Sequence, residues 1–457
     1  MRKKSQKQMP LNPPNVNHPH ARLLEDMSRL LDDNPIITDM VFQDLTKGHM
    51  LKRTGAEGMN AEQVLRAAVV KQLEGFSYED LAFHLIDSTC YRNFCRIPYF
   101  HKGFKKSSLC SNIKSISAET WEAVNRILVA NAEDKGIEKG REARIDCTVV
   151  ESNIHDPKDS WLLYDAVRVI TRLLNKAREG LQGIHLPFTD HTRRAKRRML
   201  GVDNAKNEKA RKRQYQDLLK ITKKTVRYGE TLIDKIKAGS SLGTEDALLA
   251  LSIQQELEGY IELTVKVINQ TERRVLQGEK VPAQEKVASL FEPHTDIIVK
   301  DRRDTFFGHK VCLNTGHSGL ITDCMITKGN PADSSLTIDM LDRQNSVFGR
   351  YPLKVALDGG FASKANLEAA KGKGIKDVCF AKKRGLKVED MCRSEYVYDR
   401  LRKFRAGVEA GISWLKRCFG FAKCIWKGLH SFKSYVWASV VTANLVIMAR
   451  HSGPQKA

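Results

Sequence analysis

No stretch of this 457-residue chain strings together the roughly 20 apolar residues that a helix needs to cross a bilayer. The most apolar run, Tyr435 to Ala449, is broken by Ser439, Thr442 and Asn444. The first twenty residues are polar, basic and rich in proline, without the apolar core of a secretory signal. None of the ten cysteines forms a C-x-x-C pair with another. Cys90 and Cys95 lie near His101, but nothing supplies a fourth zinc ligand at usual spacing. Single, scattered cysteines suit small buried residues in a reducing compartment. The expectation is a soluble, cytoplasmic protein.

What the chain has in excess is positive charge. Its 76 Lys and Arg outnumber 54 Asp and Glu, for a net +22. Such an imbalance favours a polyanion, because each phosphate neutralised releases condensed counterions. A basic protein with no such partner remains the alternative on charge alone. The excess is also concentrated. From Arg193 to Arg227 there are 14 Lys or Arg and 3 acids, so +11 sits in 35 residues. A charge run is usually a solvated face, yet this density points to contact with a DNA backbone.

Periodicity divides the chain. Residues 1–20 read as a disordered basic tail. Residues 21–138 read as helical: Val64, Leu65, Ala68, Val69 and Leu73 recur at three-and-four spacing, and Gly75 ends that helix. Ser77 with Asp80 gives a capping-box start, and further starts fall at Asp87-Ser88 and Ser117. Short helices beside Lys102, Lys105 and Lys106 suit a helix-turn-helix module, or equally a plain bundle. At Arg144 the period changes, and Ile145 to Val150 reads as a strand. Helix returns from Trp161 to about Val281. Further strands are expected at 297–299, 309–313, 320–326, 354–357 and 378–381, with helices at 404–419 and 435–449. The expected fold is therefore an α/β catalytic core at 139–165 and 291–452, with a helical basic insertion at 166–290.

Three acids stand apart. Asp146 sits inside an apolar strand, where an ionised carboxylate is costly without a cation. Asp358 ends Val355-Ala356-Leu357 and precedes Gly359-Gly360, the kind of strand end where α/β folds place ligands. A buried arginine partner for the first and a turn cap for the second are the structural alternatives. Glu409 is the only acid between Arg400 and Lys427, among eight Lys or Arg. On a helix, Arg402, Arg405, Glu409 and Lys416 share a stripe about 60° wide. It adjoins an apolar stripe of Phe404, Val408, Ile412, Leu415 and Phe419. A salt bridge from Arg405 explains that carboxylate structurally; a metal ligand among phosphate-gripping cations explains it chemically. In-line cleavage of a phosphodiester is served by two Mg²⁺ ions about 4 Å apart, for which carboxylate oxygens are suited hard ligands.

The segment Ile145-Asp146-Cys147-Thr148-Val149-Val150-Glu151-Ser152-Asn153-Ile154 resembles the first-Asp strand of DDE transposases from bacterial insertion sequences. Pro157, Asp159 and Leu162-Leu163 fit the same stretch. Phe307-Gly308-His309-Lys310-Val311 and Gly329-Asn330-Pro331-Ala332-Asp333 resemble that family's second and third strands and their exit loop. Leu357-Asp358-Gly359-Gly360-Phe361 resembles its second-Asp strand. Val408-Glu409-Ala410 through Leu415-Lys416-Arg417, with Gly420, resembles its third-acid helix, and Asn444-Leu445 its C-terminal helix. The similarity spans Gln63–Arg450 and is nearest to the ISNCY and insertion-sequence-five-like groups.

The resemblance implies an RNase H-like mixed sheet, with Asp146, Asp358 and Glu409 as catalytic residues holding two Mg²⁺ ions, for which Mn²⁺ can substitute. It implies cleavage at terminal inverted repeats, transfer of the 3′-hydroxyl to target DNA, and a homodimer or higher synaptic complex in the bacterial cytoplasm, associated with the nucleoid. Some relatives carry Tyr, Arg, Glu and Lys on the third-acid helix. Arg405, Glu409 and Lys416 match, and Arg402 stands where the tyrosine would be. DNA contacts are expected from Arg402, Arg405, Lys416, Lys310 and Asn153. In the insertion they are expected from Arg193, Arg194, Arg197, Arg198, Lys212 and Arg213. A catalytically silent DNA-binding descendant, or a metal-dependent nuclease without strand transfer, are the other readings.

Overall fold

The structure is a computed structural model that describes residues 3–5, 11–47, 58–181, 186–238, 244–300 and 304–452. Strand β1 (Glu142–Ser152) extends the apolar run at both ends. It is followed in the chain by β2 (Asp296–Lys300), β3 (Asp304–Gly316), β4 (Ile321–Ile326), β5 (Lys354–Leu357), β6 (Asp377–Phe380) and β7 (Lys423–Cys424). These form one mixed sheet. Along its main path the order is β2-β3-β1-β5-β6, with β4 also on β3 and β7 also on β1. β1 runs antiparallel to β3, with Cys147 opposite Cys312, and parallel to β5, with Ile145 opposite Leu357. β5 and β6 continue in parallel, and Val355, Ala356, Leu357, Val378, Cys379 and Phe380 are all buried. That is the expected state for short parallel strands covered on both faces. Three strands in antiparallel array, two more in parallel beyond the first, and helices packed against the sheet make an RNase H-like core.

The chain divides into two compact units, Met1–Asn153 with Ile298–Ala457, and Ile154–Ile297. The first unit differs from the expected division. The N-terminal helices do not keep a core of their own. Leu24, Val41, Leu65, Val69, Leu85, Trp121 and Leu128 share one apolar cluster with Val150, Val311 and Leu313 of the sheet and with Val440, Leu445 and Ala449. A second cluster joins Ile145, Val355 and Phe380 to Met340, Leu367, Tyr398 and Leu401. The stretch expected to be a free tail makes contacts where it is described. The carbonyls of Lys3 and Lys4 accept from the N–H groups of Ala61 and Glu62, and Asn12 donates to the carbonyl of Ile97. Of that expectation, residues 1–2 and 6–10 lie outside the described residues.

The C-terminal helix is longer than the interrupted apolar run suggested. It covers Leu429–Ser452 and is, by length and composition, able to cross a membrane, but 89% of its most apolar window is buried inside the unit. Its polar interruptions have partners. Asn444 accepts from the N–H of Ile321 (2.9 Å) and donates to the carbonyl of the same residue (2.8 Å) and to Asn125 (2.7 Å). Ser439 accepts from Gln72 at 2.7 Å.

The second unit starts before residue 166, because the helix Asp159–Gly180 is continuous and its Leu162, Leu163, Ala166 and Val167 belong to that unit's core. Helices Thr192–Asp203, Glu208–Ala238 and Thr244–Thr271 complete it, the last running into a π-helical turn at Glu272–Leu276. Buried Asp159 is matched by Gln270 at 2.8 Å and Arg274 at 2.9 Å, which offsets the cost of enclosing its charge.

Candidate active site

Asp146 lies mid-way along β1, opposite Leu313 of β3. Its carboxylate accepts from the N–H of Cys147 at 2.8 Å. Burial pushes its pKa up to about 6. The Cys147 hydrogen bond opposes that rise, the charge of Asp358 adds to it, and Arg405 and Lys300 oppose it more weakly. Asp358 is the first residue past β5. Since Ile145 is paired with Leu357, Asp146 and Asp358 occupy the next positions on two parallel neighbours. The chain then turns through a short 3-10 segment, Gly359–Phe361. A Cβ on Gly359 would meet the Lys382 side chain at 2.6 Å, and one on Gly360 would meet the Asp333 carboxylate at 2.6 Å. The glycine pair thus lets two other loops close in on the second aspartate.

Glu409 is carried by the helix Glu395–Cys418, which Ser394 caps by accepting from the N–H of Val397. That helix begins nine residues before the expected start at Phe404. Arg144, which precedes the Ile145-Asp146 pair, fixes it to β1. The guanidinium donates to the carbonyl of Phe404 at 3.1 Å and stacks over its ring, 4.7 Å from the centroid.

Arg405 is the link between the acids. Its side chain is only 13% exposed and donates to Asp358 at 2.7 Å and also to Glu409. The attraction of Asp358, Glu409 and Asp146 raises its pKa, against the lowering effect of burial, which is the largest influence. One arginine therefore answers three carboxylates that lie 212 and 51 residues apart in the chain.

The other expected DNA contacts divide by environment. Lys310 is turned inward, bound to Asp333 (2.9 Å) and to the carbonyl of Pro331 (2.6 Å), so it braces the Gly329–Asp333 loop. Lys416 is half-buried, and burial, with Lys300 nearby, lowers its pKa against the pull of Glu151. Arg402 is exposed and pairs with Asp399 at 3.4 Å; Asn153 is exposed just past β1. In the second unit, Arg194 and Arg198 both bind Asp217, and Lys212 binds Glu208 at 3.1 Å. Arg193, Arg197 and Arg213 are exposed. Sequence reasoning passed over Lys300, whose charge acts on both Asp146 and Lys416, and Arg144. An arginine in a strand otherwise rich in β-branched residues was the available signal for Arg144. Nothing in the sequence marked Lys300.

Over residues 292–445 the chain matches the transposase DDE domain, and over residues 14–115 a transposase domain (DUF772). Together the two matches cover more than half of the chain. It belongs to the DDE-type insertion-sequence transposases. No curated protein and no solved structure matches it. The DDE match takes in Asp358 and Glu409 but begins well past Asp146, on the far side of the helical insertion.

DDE transposases generally use divalent metals. The donor chemistry here fits such an ion: three carboxylates, one with its pKa raised by burial and a neighbouring negative charge, which is the electrostatic signature of a place that a cation would stabilise. The spacing is another matter. Among the described residues, no three His, Cys, Asp or Glu side chains are grouped closely enough to hold one ion as they stand. Between Asp358 and Glu409 the guanidinium of Arg405 is interposed.

Proposed function

We propose that this transposase binds the terminal inverted repeats of its element, cleaves there, and joins the freed 3′-hydroxyl to target DNA. Asp146, Asp358 and Glu409 would hold two Mg²⁺ ions, with Mn²⁺ able to substitute. When bound, these ions would supply charge stabilisation for the attacking and leaving oxygens. The observation that carries the reading is the placing of two aspartates side by side on adjoining parallel strands, one in the middle of β1 and one just past the end of β5, with a glutamate from a neighbouring helix joined to the second through Arg405. Arg405 orients Asp358 and Glu409 and offsets part of their mutual repulsion. Burial of Asp146 keeps water from solvating its carboxylate and so favours its use as an ion ligand. Exposed cations of the helical insertion would grip the DNA backbone.

The test is incubation of the protein with the DNA flanking its gene and Mg²⁺, mapping cuts on both strands. Asp146→Asn, Asp358→Asn and Glu409→Gln should each reduce cleavage to background while leaving DNA binding within a few-fold. Full cleavage by any one of them removes that residue from the site. Hydrolysed ends without joined products would instead identify a nuclease.

A further inference from the structure

The N-terminal helices carry a loop whose construction the catalytic reading leaves unused. Between Ser88 and Ala118 there is no Asp or Glu, against six Lys or Arg. Within this stretch, Phe100 is 94% exposed and Tyr99 is 51% exposed, their rings in edge-to-face contact at 5.2 Å. Phe83 and Ile86, one helical turn apart on Tyr78–Asp87, are exposed as well. Gly103, in the left-handed region at φ +80°, lets the loop close against Ile86, whose side chain would collide with any Cβ there.

The loop is held, not loose. Buried Arg92 donates to the carbonyls of Ile86, Pro98, Tyr99 and His101, so one guanidinium fixes the backbone on both sides of Phe100. His101 accepts from the N–H of Gly103 at 3.0 Å. Lys102, Lys105 and Lys106 follow and are exposed, the last paired with Glu79 at 3.2 Å. One buried arginine thus holds Phe100 in place, fully displayed beside the exposed Tyr99, Phe83 and Ile86, and a fixed group of exposed apolar side chains of this kind marks an interaction site.

We propose that the Pro98–Lys106 loop is a DNA-binding prong, in which Phe100 stacks on or wedges beside a base while Lys102 and Lys105 hold the flanking phosphates. This deepens the transposase reading above and rests on it. The occupant follows from charge. An acid-free, lysine-bordered aromatic suits nucleic acid, where stacking tolerates any base and the cations track the backbone. A second copy of the same chain would bring the same positive patch to meet it.

The experiment uses the full chain and a fluorescein-labelled duplex taken from the sequence flanking the gene, with a parallel set in which 2-aminopurine replaces single adenines. Phe100→Ala should weaken binding roughly 10- to 100-fold without changing its salt slope, since no charge is removed, and Phe100→Trp should restore it. One 2-aminopurine position should brighten on binding wild-type protein and stay dark with Phe100→Ala. The double variant Lys102→Ala/Lys105→Ala should lower the salt slope by about 1 to 2. Because Phe100 packs on little, its variants should melt at the wild-type temperature. Equal binding by wild type and Phe100→Ala overturns the prong while leaving the transposase reading intact. Loss of binding together with a halved sedimentation mass overturns it in favour of a self-interface. Wild-type protein that does not bind the duplex at all sinks both.

Discussion

At the residue scale the decisive group is Asp146. With its folded pKa raised to about 6 from an ordinary carboxylate value near 4, the native protein holds a proton there that the unfolded chain has already lost. The stabilising contribution is fully present below about pH 4 and is lost as pH rises through 6, because the native state then carries an ionised carboxylate beside Asp358. Asp146→Asn, which cannot ionise, should therefore stabilise the metal-free protein by about 1–3 kcal/mol at pH 7.5 and show no such gain near pH 4. Thermal denaturation at the two pH values measures this. Added Mg²⁺ should reverse the order at pH 7.5, raising the melting temperature of wild type but not of the variant, and the wild-type gain should fade below about pH 6 as the proton competes. A variant no more stable than wild type at pH 7.5 would mean that the carboxylate is well solvated. The unusual placement of this acid was legible in the sequence, because a charge inside a β-branched run has few structural excuses. The role of Arg405 was legible only by half. Its spacing from Glu409 is a helical repeat, but its bond to Asp358 joins residues 47 apart and depends on how the helix lies on the sheet.

At the element scale, local chemistry was readable and long-range chemistry was not. The capping box of Ser77 and Asp80 and the left-handed Gly75 appear where expected, as does the start at Ser117. Asn60 with Gln63 forms a second capping box that the apolar pattern did not require. The early start of the Glu395–Cys418 helix was missed because its first two turns are mostly charged and polar, with only Tyr398 and Leu401 buried. Asn444 shows what periodicity cannot express. It looked like an interruption in an apolar helix, yet it satisfies both backbone groups of Ile321 on β4 and the side chain of Asn125. Helix and strand meet there through a residue with no surface exposure. Asn444→Leu should cost about 2–4 kcal/mol, since it strands the buried N–H of Ile321 and the side-chain oxygen of Asn125, while Asn125 goes on donating to the Ile321 carbonyl at 3.2 Å. Chemical denaturation should show that loss with the slope of the transition unchanged. A loss under about 1 kcal/mol would indicate that water replaces the asparagine.

For the whole molecule, charge is organised by unit. The 35 residues from Arg193 to Arg227 lie wholly inside the Ile154–Ile297 unit, which has its own apolar core. Their +11 is not all available. Asp217 holds Arg194 and Arg198, so two arginines expected to grip DNA are already partnered. What remains is more specific than the run itself. On Thr192–Asp203, Ala195, Met199 and Val202 face the core, while Arg193, Lys196 and Arg197 are exposed on the opposite side at three-and-four spacing. Such a face presents cations about one helical turn apart, comparable to the spacing of successive phosphates along a strand. Replacing these three by Gln should weaken binding to any duplex and reduce the slope of log affinity against log salt by about 0.9 for each phosphate no longer neutralised. Replacing Arg194 and Arg198 should instead lower the melting temperature of the unit and leave the slope nearly unchanged, because Asp217 already neutralises part of their charge. Titrations of the triple and the double variant between roughly 50 and 200 mM salt separate the two roles. If the Arg193, Lys196 and Arg197 variant keeps the wild-type slope, the face is solvated surface and does not contact DNA.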